Sequence, residues 1–319
     1  MTLLLLWLGG ASPARAEGLD IDLRTAPTGH FRHDDGADPA TAPAFASAFA
    51  PPSFVLSPGS TITRVRAWPW PPTQGQTLAL AVGVQTAAPL TLTFGGQEYP
   101  VFGTDGVRWA FVPIPPLAQP GNHPLVLTDG EQGLTLQVPV RAGSFPSVNI
   151  PPATTAPILS QASKVSTEAA RMAELFSLVT PGGWNLYSRF DSPLHGELRR
   201  TSPFGSRRTY GTSTTITAHE GEDYGAVTGT PVYAPAPGVV VLADPLFVRG
   251  NAIVIDHGNG VYTGYWHLSE FSIEVGESVE TGQLIGKVGS TGLSTGAHLH
   301  WELRVGGRAV DPLQWLRQE

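Results

Sequence analysis

Short runs of alternating apolar and polar residues, separated by glycine and proline turns, recur along most of this chain and limit its fold more than any other feature. Successive side chains of a strand point to opposite faces, so this alternation indicates strands with one buried face. The composition agrees, because 37 glycines and 30 prolines among 319 residues favour turns and strands over helices. The sequence therefore predicts a mostly β protein.

The distribution of these runs predicts two β-rich domains joined by a linker. Runs such as QTLALAVGVQ, GVRWAFVPI and GLTLQVPV predict an immunoglobulin-like β-sandwich over residues 53–145. A second β-rich domain is predicted over residues 184–319. In the linker, 146–183, we expect one amphipathic helix that ends at Pro181 and docks on, or joins, the two domains. The apolar residues at helical spacing are Ile158, Leu159, Ala162, Val165, Ala169, Met172, Leu175 and Phe176.

The first 50 residues contain a pattern typical of export, followed by a polar leader. An apolar run at positions 3–8 precedes Ala-Arg-Ala at positions 14–16, and this A-x-A pattern predicts a signal peptide over residues 1–16. Residues 17–50 are rich in Ala, Pro, Asp and Gly and are expected to form a disordered leader. No later stretch has the character of a transmembrane helix. We therefore expect an exported protein of the periplasm, the cell envelope or the extracellular space.

Charge and cysteine content exclude several classes of function. The net charge of −7 and the pI near 5.7 argue against a protein that coats nucleic acid. The chain has no cysteine, so a disulfide framework and a thiolate metal site are both excluded. A transition metal in this protein must be held by His, Asp or Glu side chains.

Two histidine clusters in the C-terminal part have the spacing of a metal site. In STGAHLHWELR, His298 and His300 alternate with Leu299 and so share one face of a predicted strand. In AHEGEDYG, His219 and Asp223 are predicted to lie on a loop that enters a strand. Imidazole and carboxylate groups are both zinc ligands, and three protein ligands plus a water make an open catalytic site. His219, Asp223 and one histidine of HLH are therefore candidate ligands.

His267 ends the strand-like run TGYWHL, in which Tyr265 is expected to fall on the same face. Beside a metal, His267 becomes a candidate acid or base. Glu220 and Glu222 flank the ligand cluster but lack the second histidine of an H-E-x-x-H motif. We assign both to the surface or to contacts behind the ligands. His257, in DHGNG, is assigned to a hairpin turn.

The region from about Ser202 to Leu316 resembles the catalytic domain of the lysostaphin and LytM type of zinc metallopeptidases, which cut peptides of bacterial peptidoglycan. Six pieces occur in the order found in that family, and their combination is far more specific than any one of them. They are SPFGSRRTYG, HEGEDYG, GTPVYAPAPGVVV, NAIVIDHGNGVYTGYWHL, VGESVETGQLIGKVGSTGLSTGAHLHWELR and VDPLQWL.

This resemblance implies a zinc ion bound by His219, Asp223 and His300. It implies that His267 and His298 flank the metal as the catalytic pair. Tyr265 stands where the family often places a tyrosine that hydrogen-bonds the developing oxyanion, and Arg207 stands in the family's F-G-x-R segment near the site.

The expected function is that of an exported zinc metalloendopeptidase that hydrolyses peptide bonds in peptidoglycan stem peptides or cross-bridges. The alternative is a catalytically silent family member that binds and activates cell-wall amidases; such proteins lose zinc ligands, which this chain keeps. Two further readings are weaker. A biotinyl or lipoyl carrier needs a lysine at an exposed hairpin tip, whereas Lys287 lies in an apolar run. A structural β-rich adhesin would have no reason to place four histidines and an aspartate at the spacing of a metal site. Peptidoglycan is the expected partner of a monomer whose N-terminal β domain could also meet cell-division or cell-wall proteins.

Overall fold

The computed structural model describes residues 19–22, 32–33, 54–57, 59–103, 106–130, 132–151, 160–181, 189–196 and 199–317. The predicted signal peptide and most of the predicted leader lie outside these residues. Strands dominate the described part of the chain, together with one α-helix and one 3-10 helix, so the prediction of a mostly β protein is confirmed. None of the helices described is long and apolar enough to cross a membrane.

The N-terminal part folds into two antiparallel sheets. Its strands are β1 (Leu19–Asp22), β2 (Arg32–His33), β3 (Phe54–Leu56), β4 (Ile62–Trp68), β5 (Thr77–Val84), β6 (Thr91–Phe94), β7 (Gln97–Tyr99), β8 (Val101–Phe102), β9 (Val107–Pro113), β10 (Gly121–Thr128) and β11 (Gly133–Val140). The strand orders are β2-β1-β4-β5-β9-β8 and β3-β11-β10-β6-β7. Alternate residues of both sheets meet in one apolar core that includes Val65, Leu80 and Leu136. The immunoglobulin-like topology and the domain boundaries stay predictions.

Strands β1 and β2 lie inside the segment that we expected to be a disordered leader, and this part of the expectation is corrected. Strand β1 pairs antiparallel with β4, with Leu19 opposite Ala67 and Ile21 opposite Val65. Leu19 is buried in the N-terminal core. The alternation in Leu-Asp-Ile-Asp lets this short segment cover the open edge of β4 and satisfy its backbone groups.

The C-terminal part is built on a ten-stranded sheet. The elements of the C-terminal part are β13 (Arg199–Ser202), β14 (Arg207–Tyr210), β15 (Thr217–Ala218), β16 (Gly221–Gly225), β17 (Pro231–Tyr233), β18 (Gly238–Leu246), β19 (Gly250–Asp256), β20 (Val261–Phe271), β21 (Ser278–Val279), β22 (Leu284–Val288), β23 (His298–Val305), β24 (Arg308–Val310) and a 3-10 helix (Pro312–Trp315). All of these strands except β14 and β15 belong to the ten-stranded sheet. The main strand order is β13-β16-β23-β20-β19-β18-β21. Strand β23 therefore lies between β16 and β20, and side chains from these three strands can meet on one face.

The two faces of this sheet bury different groups. On β23, Leu299 and Trp301 join an apolar cluster with residues of β17, β19 and β22, and we call this side the core face. The alternate residues His298, His300 and Glu302 project from the opposite side, which we call the site face. The period-two pattern of HLHWELR thus separates the apolar residues from the titratable ones.

Two elements connect the N-terminal and C-terminal parts. Strand β12 (Ser147–Ile150) pairs in parallel with β14. Helix α1 (Ala162–Ser177) ends before Pro181 and packs Met172 and Phe176 against the site face beside Tyr262 and Trp266. The helix is therefore docked on the C-terminal sheet, on the side that carries the titratable residues.

The two β-rich parts also contact each other directly through the 3-10 helix. The backbone N–H of Thr77 donates to Gln314 Oε1 at 2.6 Å, and Gln314 Nε2 donates to Thr77 O at 2.8 Å. The rings of Phe111 and Trp315 lie 5.1 Å apart in an edge-on arrangement. This contact buries the C-terminal helix between the two parts.

Candidate active site

His219, Asp223 and His300 converge on one point of the site face. His219 follows β15, Asp223 lies in β16, and His300 is directly opposite Asp223 on β23. His219 Nε2 is 3.3 Å from Asp223 Oδ1 and 3.0 Å from His300 Nδ1, and His300 Nδ1 is 2.7 Å from Asp223 Oδ1. The antiparallel register of β16 and β23 thus brings together residues that are 77 positions apart in sequence.

This donor set fits a zinc ion. Among the described residues, these three side chains form the group of His, Asp and Glu donors that could hold a metal. Zinc binds imidazole nitrogen and carboxylate oxygen at about 2.0–2.2 Å, so a single ion can contact three donors that lie this close together. Three protein ligands leave one coordination position open, which is the arrangement of catalytic zinc sites.

Gly221 makes room for His300 on the neighbouring strand. A Cβ atom at this position would lie 2.5 Å from His300 Nε2 and 2.6 Å from Trp301 O. Contacts this short require the backbone or the imidazole to move, so an alanine at position 221 would displace His300. The pairing of β16 with β23 explains why glycine stands there.

Groups behind the ligands fix which ring nitrogen faces the metal position. His219 Nδ1 donates to Pro203 O at 3.1 Å, which leaves Nε2 free to accept a metal. His300 Nε2 donates to Glu302 Oε1 at 3.3 Å, which leaves Nδ1 free. Arg304 Nε in turn donates to Glu302 Oε2 at 2.9 Å. A carboxylate behind a ligand histidine fixes its tautomer and orientation and raises its basicity.

The charges at the site favour a bound cation. Burial would raise the pKa of Asp223, but hydrogen bonds from His219 and His300 outweigh it and hold that pKa well below its usual range. Burial would lower the pKa of His300, yet the hydrogen bonds to Asp223 and Glu302 raise it to about 9. Burial lowers the pKa of His219. Without a metal the triad therefore keeps a proton between His300 and Asp223, and metal binding must release it.

His267 and His298 form a second pair beside the triad. Their rings lie 4.7 Å apart, and His298 Nε2 is 3.9 Å from Asp223 Oδ1. His267 Nδ1 is 2.8 Å from Thr291 O, and His298 Nδ1 is 2.8 Å from Gly296 O. A carbonyl oxygen can only accept, so both Nδ1 atoms carry hydrogen and both Nε2 atoms can accept a proton. Burial lowers the pKa of His267 to about 4, so its ring is neutral at pH 7.

A β-bulge brings His267 to the site face. On β19, Asn251 pairs with Leu268 and Ile253 with Tyr265, so Trp266 and His267 together stand opposite a single residue. His267 has φ 62°, in the left-handed region that non-glycine residues rarely adopt. The extra residue shifts the alternation of β20 by one position, and both Trp266 and His267 then lie on the site face.

Tyr265 is on the opposite side of the sheet, which corrects the prediction that it shares a face with His267. It is fully buried in the apolar cluster of the core face. Its hydroxyl lies 2.8 Å from Thr263 Oγ1, which is 2.8 Å from His257 Nε2. His257 Nδ1 donates to Pro237 O, so the hydrogen bonds run from Tyr265 through Thr263 to His257. The period-two rule failed here because it cannot anticipate the bulge.

The remaining predicted residues lie around the site. Arg207 continues the β12 contact, with its backbone N–H donating to Pro146 O. Its neighbour Arg208, which sequence reasoning missed, places Nη2 3.0 Å from Ser202 Oγ and 3.9 Å from Asp223 Oδ2. Nothing in the motif distinguished the two arginines.

Both glutamates that flank the ligands make ion pairs away from the metal position, in line with their assignment. Glu222 is fully buried and pairs with Arg200, while Glu220 pairs with Arg304. Sequence reasoning missed Glu302 and Arg304. Their even spacing from His300 along one strand was the signal that could have identified them.

Comparisons with known proteins agree with this site. The model of peptidase family M23 matches residues 217–312. The peptidoglycan DD-endopeptidase ShyA of Vibrio cholerae is 41% identical over 122 residues, which are 38% of this chain and 28% of the relative. The DD-carboxypeptidase/endopeptidase Mpg of Neisseria meningitidis is 49% identical over 115 residues, which are 36% of this chain and 26% of the relative.

One solved structure is similar over most of the chain. It is the crystal structure of a protein from Pseudomonas aeruginosa described as a peptidase M23, with 27% sequence identity and a TM-score of 0.58. The match covers 77% of this chain and 94% of that one. The chain spans only about a quarter of the curated relatives that it matches, at 28% and 26% of their lengths. The geometry of the candidate metal site and these similarities agree on one region: residues 217–312 match peptidase family M23, and we call this region the M23 domain.

Proposed function

We propose that this protein is an exported zinc metalloendopeptidase that hydrolyses peptide bonds in peptidoglycan stem peptides or cross-bridges. The observation that carries the proposal is the open set of three ligand atoms from His219, Asp223 and His300, all within 3.3 Å of one another. Two of the relatives are named a peptidoglycan DD-endopeptidase and a DD-carboxypeptidase/endopeptidase, which supports the substrate class.

The ligand residues hold the metal and the second histidine pair moves protons. When bound, zinc supplies Lewis-acid activation of the scissile carbonyl and of the attacking water. The Nε2 atoms of His267 and His298 are unprotonated in the tautomers set by their Nδ1 contacts, so either can accept a proton from that water. The protonated imidazole then donates to the leaving amine and stabilises negative charge on the carbonyl oxygen.

Tyr265 takes no part in this proposal because its hydroxyl is on the core face. Arg208 is the cationic side chain nearest to Asp223 on the opposite side from His300, at 3.9 Å. Its position suits an electrostatic role in holding the Asp223 carboxylate in its ionised form.

The alternative is a catalytically silent family member that activates cell-wall amidases. Silent members lose zinc ligands, whereas this chain keeps three donors in contact and has a carboxylate, Glu302, behind one of them. A group arranged in this way would be unnecessary in a protein that only docks on another enzyme, so the enzyme proposal is favoured.

The N-terminal sheets and the expected leader carry the finer parts of the proposal. The A-x-A pattern at 14–16 supports the proposal of export. The two sheets offer a surface for peptidoglycan or for a cell-wall or cell-division protein, and we propose that the protein acts as a monomer. The contact between Thr77 and Gln314 makes these sheets a fixed neighbour of the M23 domain.

The test uses protein that begins at residue 17, with the variant His300→Ala and the matched control His195→Ala. His195 is an exposed histidine that stacks on Tyr233 at 4.1 Å, away from the ligands. Zinc content is measured by atomic absorption, and muropeptides released from purified peptidoglycan are identified by mass spectrometry. We expect one zinc per chain and cleavage of peptide bonds, both lost in His300→Ala and retained in His195→Ala.

Two results would contradict the proposal. Bound zinc without release of peptides from any peptidoglycan chemistry tested would remove the endopeptidase assignment. Absence of zinc together with stimulation of an added amidase would establish the silent family member instead.

A further inference from the structure

Helix α1 lies outside the M23 match, yet one of its carboxylates is buried against the M23 domain. Glu168 is 5% exposed, although it is on a helix whose other polar side chains face solvent. Its Oε2 accepts the backbone N–H of Val248 at 2.7 Å. Its Oε1 accepts the backbone N–H of Arg249 at 3.3 Å and Arg249 Nη1 at 2.8 Å. Three donors on two consecutive residues therefore bind one carboxylate.

Residues 248 and 249, which bind Glu168, also fix the position of His267. The backbone N–H of His267 donates to Arg249 O at 2.8 Å. Val248 O accepts the N–H of Leu293 at 2.9 Å, in the loop whose Thr291 carbonyl accepts His267 Nδ1–H. The backbone and the ring of His267 are thus both fixed by chain segments that the Glu168 contacts organise.

His267 needs such support because its backbone is strained. A φ of 62° is sterically unfavourable for a non-glycine residue, and it persists only where the surroundings enforce it. The hydrogen bond to Arg249 O acts directly on the amide of this residue. If residues 248–249 moved, the bulge that turns the imidazole to the site face would lose its main constraint.

The same face of α1 also contacts the groups behind His300. Phe176, two turns beyond Glu168, lies under the guanidinium of Arg304 at 4.6 Å, and Arg304 holds Glu302. Arg249 lies over the ring of Trp266 at 5.2 Å, and Trp266 stacks on His300 with an interplanar angle of 22°. Helix α1 therefore supports both the proposed proton-transfer histidine and a proposed ligand.

We propose that Glu168 is a positioning residue for the peptidase site, acting through residues 248–249 on the backbone and ring of His267. The inference rests on the proposed function for its kinetic consequence, but its structural consequence can be measured without catalysis. The peptidase site would then depend on a residue of helix α1, which precedes the M23 match in the sequence.

The experiment compares the parent protein with Glu168→Ala, Glu168→Gln and the control Glu174→Ala. Glu174 is an exposed glutamate on the same helix. Hydrogen exchange is followed by mass spectrometry on peptides covering residues 247–252 and 262–269 of the full chain without metal. Peptidoglycan cleavage by the zinc-loaded proteins gives kcat and KM separately.

In Glu168→Ala we expect amide exchange in both peptides to accelerate about tenfold or more, because a hydrogen bond to a carboxylate contributes at least that factor to the closed state. We expect kcat to fall about 10- to 100-fold while KM stays within about twofold, since the loss concerns orientation rather than substrate contacts. Glu168→Gln keeps one acceptor oxygen and should show intermediate values, and Glu174→Ala should match the parent.

Two outcomes would contradict the proposal directly. Parent-like exchange at 262–269 in Glu168→Ala would overturn it, as would parent-like kcat in a protein that cleaves peptidoglycan. If Glu168→Ala fails to fold, Glu168→Gln decides by the same two measurements. If the parent itself cleaves nothing, the proposed function fails, and the exchange result alone then shows whether Glu168 fixes the backbone of His267.

Discussion

The two β-rich parts of the chain bury different kinds of side chain. Among the side chains that the structure describes, the N-terminal sheets bury two polar ones, Gln74 and Thr77, and no charged one. The M23 domain buries eight His, Asp, Glu or Arg side chains, which are His219, Glu222, Asp223, Asp256, His257, His267, Glu302 and Arg304. One part is stabilised almost entirely by apolar burial, and the other holds charges that must be paired.

The buried residues that mainly stabilise the protein and the buried residues that could carry out chemistry therefore lie in different parts of the molecule. An apolar core tolerates changes that keep its volume and loses stability in proportion to the atoms removed. A paired buried charge contributes little net stability but costs several kcal/mol when its partner is lost, because it then remains unpaired away from water. Substitutions in the two parts should therefore be distinguishable by which property they change.

The largest expected effect on stability is in the N-terminal core. Leu80 is fully buried between the two sheets, and Leu80→Ala should lower the free energy of unfolding by about 2–5 kcal/mol. Urea denaturation of the full chain measures this, with the exposed Leu117→Ala as control, for which a change within about 0.5 kcal/mol is expected. Zinc content of the folded protein should stay at the parent value. Loss of zinc from folded Leu80→Ala would show that the two parts are not independent.

The next effect depends on pH and concerns His257, behind the core face. Burial lowers its pKa to about 4 from an ordinary value of 6.5. Between these values the unfolded chain binds a proton that the folded protein does not, so the free energy of unfolding should fall as pH falls from 6.5 to 4. The contribution is at most about 3 kcal/mol and is absent above pH 6.5.

Replacement of His257 isolates this contribution. In His257→Gln, the decrease in unfolding free energy between pH 6.5 and pH 4 should be smaller than in the parent. Urea denaturation at both pH values, with chelator present in all samples, provides the comparison. If the unfolding free energy decreased equally in the two proteins, His257 would be protonated in the folded protein despite its burial, and this prediction would be wrong.

The smallest of these effects tests the groups behind the ligands. Glu302 lies between His300 and Arg304, and Glu302→Gln should weaken zinc binding about 10- to 100-fold because the imidazole loses a charged acceptor. Competition with a zinc chelator of known affinity measures this change. Glu270→Gln is the matched control, since Glu270 pairs with Lys287 at the surface. If Glu302→Gln bound zinc with the affinity of the parent, Glu302 would pair with Arg304 without contributing to zinc affinity.

The sequence predicted most of the strands and the three residues that the structure brings together as candidate metal ligands. Alternation placed His298 and His300 on one face, and the chemistry of zinc ligands together with the family resemblance of HEGEDYG and HLH indicated that His219 and Asp223 lie beside them. The segregation of Leu299 and Trp301 to the core face follows from the same rule. The roles of the site residues stay predictions until they are measured.

Features that depend on contacts between distant segments could not be predicted. The bulge at Trp266 and His267 turns His267 to the site face while Tyr265 stays on the core face, and no residue type in TGYWHL indicates a bulge. Glu168 reads as one of several polar positions on an amphipathic helix, and only packing shows that it binds residues 248–249. The strand at 19–22 was missed because a short alternating segment gains its stability from the edge it covers.

Selection for heat resistance and selection for turnover would favour different residues at position 267. Glycine adopts a φ of 62° at no steric cost, whereas histidine does so under strain. A laboratory evolution campaign that rewards only survival at high temperature should therefore enrich His267→Gly and, in doing so, discard the imidazole that the proposed reaction uses. At position 267, glycine would give the more stable protein, whereas histidine supplies the imidazole that the proposed reaction needs.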